Sequence, residues 1–146
     1  MSEPDRIWTH LALWVSDLDT SVDFYRKYAG MAILADRTEP SGTRVAWLAD
    51  KDGRLALVLL APNRMPLRRK FLIALMRRIR PPSHIGVECS SQDKVRSLCD
   101  LARSDGILRN GPRQFGGEIG FAGFIADPDG NDLELSHGQN VGRYLT

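Results

Sequence analysis

The sequence predicts an α+β fold: two βαβββ modules that pair into one curved, mixed β-sheet cup. Three observations carry that expectation. The run Thr9 to Val15 (THLALWV) returns 74 positions later as Ser83 to Cys89 (SHIGVEC), so that His10 falls on His84. Ser16-Asp17-Leu18-Asp19 is answered by Ser90-Ser91-Gln92-Asp93, two signals of the form Ser-x-x-Asp that open a helix just after a strand. Asp50-Lys51-Asp52-Gly53 is answered by Asp127-Pro128-Asp129-Gly130, and an apolar strand follows each turn.

The elements follow in order. A strand over 7–15 places Trp8, His10, Ala12 and Trp14 on one face, because side chains alternate along a strand. A helix over 17–29 carries Val22, Phe24, Tyr25, Tyr28 and Ala29 at near-helical spacing. Strands over 31–38, 43–49 and 54–61 are separated by Pro40-Ser41-Gly42 and Asp52-Gly53 turns, which completes a first module over 7–61. An insert over 62–83, closed by Pro81-Pro82, leads to a second module over 84–137. That module opens on the apolar run at His84. It continues with a helix over 91–104, a stop at Asp105-Gly106 and strands over 107–110, 118–126 and 132–137, leaving a tail over 138–146. One such module leaves a sheet face unburied, and pairing two is the natural remedy, so residues 1–146 read as a single domain. If the face of His10 is the concave one, that imidazole points into the cleft between modules.

A chain of 146 residues with 42% hydrophobic and 26% charged content has the composition of an ordinary globular domain with a real core. No apolar run approaches the roughly 20 residues that span a bilayer. The opening MSEPDRIW has no signal-peptide core, so the expectation is a cytoplasmic protein without a transmembrane segment. Cys89 and Cys99 match neither a zinc-ligand spacing nor a disulfide framework and read as small buried hydrophobes. The formal charge of +2 is unevenly spread: the insert holds Arg64, Arg68, Arg69, Lys70, Arg77, Arg78 and Arg80 and no acidic residue. The rest carries 13 basic against 18 acidic groups, a pattern that does not suggest nucleic acid as a partner. Within the insert, Leu67, Phe71, Leu75 and Ile79 lie a helical turn apart, with Arg69, Lys70, Arg77 and Arg80 favouring the other side. A lid over the cleft or a homodimer contact is expected there ahead of a lipid-facing surface, and Arg68 and Arg78 are placed to approach an anionic substrate. The glycine-rich run Gly116 to Gly123 is not followed by a helix, so it is read as curved strand and not as a phosphate-cradling loop.

Chemistry concentrates on His10, His84 and Glu134. The strand Asn131-Asp132-Leu133-Glu134-Leu135 answers Arg54-Leu55-Ala56-Leu57-Val58, so two histidines and one glutamate sit at repeat-related places while the fourth place is apolar. Two imidazoles and one carboxylate give a divalent metal three donors and leave roughly three octahedral positions free, the stoichiometry of a catalytic site. An isolated histidine in an apolar strand is more often a satisfied core residue. Against that stand the matched positions of the two histidines and the cost of burying Glu134 without a partner.

The runs HLALWVSDLDTSVDFYRKYAG, SHIGVE and IADPDGNDLEL resemble the vicinal oxygen chelate superfamily, which includes glyoxalase I, extradiol ring-cleaving dioxygenases, thiol-transferring fosfomycin-resistance enzymes and metal-free bleomycin-binding proteins. The resemblance implies that fold, places His10, His84 and Glu134 on three ligand positions, and implies a small-molecule substrate. Glyoxalase I members carry a second glutamate that binds metal and shuttles a proton. Here RLALVLLA has no carboxylate, with Leu57 expected as the counterpart of Glu134, so that proton transfer lacks its base. Three ligands resemble the extradiol enzymes, which use Fe(II), and equally the fosfomycin-resistance enzymes, which use Mn(II); Zn(II) and Ni(II) also fit the donor set. The expected function is therefore extradiol-dioxygenase-like, with a fosfomycin-resistance-like transferase, a glyoxalase-like lyase or a non-catalytic drug-binding protein as alternatives. Arg143 is placed like an arginine of the resistance group, but Ala12 stands where those enzymes have threonine. Trp8 and Trp14 are either a lining that suits a planar ligand or plain packing. His137 falls on the face opposite Glu134, so no general acid or base is assigned.

Overall fold

Asp17 and Ser91 start the two helices. The Asp17 carboxylate accepts the Thr20 N–H at 2.8 Å, and the Ser91 hydroxyl accepts the Lys94 N–H at 3.1 Å. Capping needs an extended residue whose side-chain oxygen reaches an amide three positions on. Asp17 and Ser91 meet that condition, so each cap falls one residue later than the first serine of its Ser-x-x-Asp signal. Helix α1 (Leu18–Ala29) ends at Gly30, whose φ of +66° is the left-handed conformation that lets its N–H return to the Tyr25 carbonyl. Helix α2 (Gln92–Ser104) ends at Asp105, with Gly106 beyond it at φ +73°.

The computed structural model describes residues 9–53, 55–63, 84–116 and 119–139. The chain divides into two compact units, Met1–Ile73 and Ala74–Thr146. In the first, β1 (Leu11–Trp14), β2 (Ala32–Thr38), β3 (Arg44–Ala49) and β4 (Ala56–Ala61) form a sheet in the order β1-β4-β3-β2. In the second, β5 (His84–Glu88), β6 (Leu108–Gln114), β7 (Phe121–Ala126) and β8 (Asp132–His137) form a sheet in the order β5-β8-β7-β6. The first and last strands of each unit pair in parallel and the rest antiparallel, so each unit is the expected βαβββ module. Trp8, Arg143 and the basic run from Arg64 to Arg80 lie outside the described residues. Among the described residues no helix is long and apolar enough to cross a membrane.

Each helix covers one face of its sheet. Cys99 of α2 faces Gly123 of β7, where any Cβ would collide with its sulfur, so the glycine is needed for close helix approach. Alternation then puts Ile125, Leu133 and Leu135 on the helix side, all of them buried with Val95 and Ala102 of α2. Leu48, Leu57 and Leu59 are the buried counterparts in the first unit, where α1 contributes Val22, Tyr25 and Tyr28. Arg44 ties that unit together, bonding both Asp19 oxygens at 2.9 and 3.1 Å and Asp36 at 3.1 Å. Cys89 and Cys99 are free and buried, as expected; burial raises both thiols, that of Cys99 to about 11.

One strand runs further than its sequence suggests. A strand is expected over 107–110, yet β6 continues through Gly111-Pro112 to Gln114. It is the edge strand, and two register shifts, between Leu108 and Asn110 and between Asn110 and Arg113, absorb the proline that an inner strand would exclude.

Candidate metal centre

In the second unit His84 and Glu134 lie on the sheet face turned away from α2. Gly86 pairs with Glu134 across β5 and β8, and Phe124 pairs with Glu134 across β7 and β8. His84, two residues before Gly86, sends its imidazole over the glutamate, with Nε2 2.8 Å from Glu134 Oε2. The ring continues to Phe124, edge-on at 5.7 Å between centroids and 87° between planes. Glu134 is only 2% exposed, a depth at which an unpartnered carboxylate is costly. Its other oxygen, Oε1, accepts the Gln139 side-chain N–H at 2.7 Å.

The first unit repeats this face without the carboxylate. Ala12 pairs with Val58 and Trp47 pairs with Val58. His10 precedes β1 and meets Trp47 at 5.1 Å between ring centroids. Its Nδ1 shares a hydrogen bond with Thr9 Oγ1 at 3.0 Å. Trp14 shares the face of Ala12 and Val58 and is 54% exposed.

The apolar counterpart of Glu134 is therefore Val58 and not Leu57. The reason is one extra residue in the turn. The Asp127 loop closes on Asn131, with Asn131 N–H on Asp127 Oδ1 at 2.7 Å. The Asp50 loop closes one residue later, with Leu55 N–H on Asp50 Oδ1 at 3.0 Å. A one-residue offset moves every side chain of a strand to the other face, so Leu57 packs on the helix side.

Two of the three expected donors, His84 and Glu134, stand at a spacing that a divalent cation accepts. Metal–nitrogen and metal–oxygen bonds of about 2.1 Å at a right angle put cis donors about 3.0 Å apart. The 2.8 Å between His84 Nε2 and Glu134 Oε2 matches that edge, and it equally satisfies an imidazole–carboxylate hydrogen bond. Among the described residues no group of three or more His, Cys, Asp or Glu side chains is arranged to hold an ion. His84 and Glu134 are brought together within one unit; His10 belongs to the other. His137 is on the helix side, as its parity predicts, with Nδ1–H donating to the Cys89 carbonyl at 2.8 Å.

Three residues of these faces escaped the sequence reading. Trp47 and Phe124 were legible in principle, as aromatic residues at repeat-related places. Gln139 was not, because it lies beyond the end of β8, where no periodicity continues.

A family model described as the Glyoxalase/Bleomycin resistance protein/Dioxygenase superfamily matches residues 8–135. The chain belongs to that superfamily. Among its relatives is the uncharacterized protein PA2024 of Pseudomonas aeruginosa, 32% identical over 138 residues, covering 92% of this chain and 90% of that protein. Solved structures share the fold. A mutant of the fosfomycin resistance protein FosX from Listeria monocytogenes, complexed with Mn(II) and 1S,2S-dihydroxypropylphosphonic acid, superposes with a TM-score of 0.67 at 16% identity, covering 95% of this chain and 97% of that one. TnmS3, an antibiotic binding protein from Streptomyces sp. CB03234, gives a TM-score of 0.63 at 23% identity, over 93% of this chain and 98% of that one. Glyoxalase I of Leishmania major gives 0.62 at 21%, over 97% and 93%.

Proposed function

We propose that this protein is a divalent-metal-dependent enzyme acting on a small molecule with vicinal oxygens, with His10, His84 and Glu134 as protein ligands and extradiol ring cleavage as the reaction class. The observation that carries the reading is the 2.8 Å approach of His84 Nε2 to Glu134 Oε2 on a face whose counterpart in the first unit is Val58. A divalent ion bound there supplies Lewis-acid polarisation of two adjacent substrate oxygens and keeps roughly three positions open. Fe(II) or Mn(II) is the favoured ion, and Zn(II) or Ni(II) shares the donor set.

The chain's own residues set what that site accepts. Val58 removes the carboxylate that glyoxalase-type proton transfer requires. Phe124 and Trp47 offer apolar ring surface beside the histidines, which suits a planar substrate and keeps water off it. Trp14 extends the face in the first unit, and Trp8 and Arg143 complete the proposed substrate contacts from outside the described residues. A phosphonate substrate of the fosfomycin type needs several cationic donors, of which Arg143 is the one proposed.

A second reading has an observation of its own. Both oxygens of Glu134 already have protein partners, so the face is electrostatically complete without an ion. On that reading the protein sequesters a drug or metabolite without chemistry. Metal analysis of the purified protein, then anaerobic reconstitution with Fe(II), Mn(II), Ni(II) or Zn(II) and a panel of catechols and thiol-adduct substrates, separates the two. Stoichiometric metal with ring-cleaving turnover is the expected result. Failure to take up any of the four ions leaves the sequestering reading.

A further inference from the structure

We infer that Gln139 is a positioning residue that makes Glu134 a one-oxygen ligand; this rests on the metal-site reading above. The two oxygens of Glu134 are already divided between two tasks. Oε1 accepts the Gln139 amide N–H at 2.7 Å, and Oε2 faces His84 Nε2 at 2.8 Å. A hydrogen bond to a buried carboxylate is charge-assisted, and giving it up leaves a desolvated oxygen without its donor. Oε1 is thereby held to the protein, and Oε2 is the oxygen that remains to face a cation.

The amide is itself held in place. Beyond β8 the chain turns at Gly138, whose φ of +89° is open to glycine and strained for most other residues. That turn is fixed by Glu88 at the end of β5, which accepts the Gly138 N–H at 2.7 Å and the Gln139 N–H at 3.4 Å. Gly86, the strand partner of Glu134, lies beside the amide: a Cβ built there would make ordinary contact, at 4.0 Å, with Gln139 Oε1. A line of contacts thus runs from Glu88 through the 138–139 turn to Gln139, Glu134 and His84, within one unit. Its consequence is a count. With Glu134 spending one oxygen, three protein donors leave about three octahedral positions for substrate; with both oxygens spent, about two remain.

The test uses Mn(II) alone with the full-length protein, comparing wild type with Gln139→Ala and the nearly isosteric Gln139→Met. Mn(II) affinity is read by electron paramagnetic resonance, inner-sphere water by proton relaxation dispersion, and folding by the melting temperature of the metal-free protein. Wild type is expected to hold one Mn(II) with about three exchangeable waters. Both variants are expected to lose about tenfold or more in affinity, as removal of a group that orients a ligand commonly does, and to lose about one water as Oε1 joins the ion. Unchanged affinity, or weaker binding with an unchanged water count, in either folded variant overturns the inference. Absence of Mn(II) binding by wild type is a different result, and it overturns the metal-site reading itself.

Discussion

Glu134 lies between Gly86 and Phe124 in the second sheet as Val58 lies between Ala12 and Trp47 in the first. The histidines follow the same rule, His84 beside Phe124 and His10 beside Trp47. The two faces therefore differ at their centre by one carboxylate.

Removing the donors tests the proposed site. His10→Ala, His84→Ala and Glu134→Ala are each expected to abolish metal retention while circular dichroism and the melting transition stay close to wild type. Metal content after dialysis is the measurement. Wild-type retention in any one of the three counts against the assignment.

Restoring the missing carboxylate probes the asymmetry from the other side. Val58 is 4% exposed, so Val58→Glu is expected to cost the metal-free protein about 2–4 kcal/mol through burial of a charge. Added Ni(II) or Mn(II) is expected to raise its melting temperature more than it raises that of wild type. A metal-free variant as stable as wild type speaks against a buried place for that side chain.

Glyoxalase turnover follows the same logic. With no carboxylate in β4, wild-type activity on hemithioacetals is expected to be negligible. Robust turnover in a spectrophotometric assay means that another residue supplies the base.

Close packing of α2 on β7 predicts a coupled pair. Gly123→Ala places a methyl group against the Cys99 sulfur and is expected to destabilise by about 1–3 kcal/mol. Cys99→Ala makes room, so the double variant is expected to lose less than the sum of the single losses in a urea titration. Additive losses rule out that contact as the cause.

Cys99 also predicts a pH dependence. Burial raises its thiol from 9.0 to about 11, so the folded chain holds that proton at pH values where the unfolded chain has lost it. Stability from this group is complete below pH 9 and falls as pH rises toward about 11, by up to about 1.4 kcal/mol per pH unit. Urea midpoints of wild type and Cys99→Ala from pH 8 to 11 isolate the contribution, since other titrating groups are common to both. Parallel pH profiles for the two proteins disprove it.

The sequence by itself determined the elements and their repetition. Helix caps, Asp-Gly turns and alternating strands are local: Asp17 reaches only to Thr20 and Ser91 only to Lys94, so short-range pattern suffices to find them. It also paired His10 with His84 and put Glu134 and His137 on opposite faces, because parity within one strand is a local property. Only the tertiary structure decided register and reach. One additional residue in the Asp50 turn made Val58 rather than Leu57 the counterpart of Glu134, and an edge position let β6 run through Pro112. Gln139 joined Glu134 because a left-handed glycine folds the chain back over β5. These relationships join residues on different strands or beyond a strand's end, and their free energy comes from cross-strand contact and burial, which the order of residues along one strand does not encode.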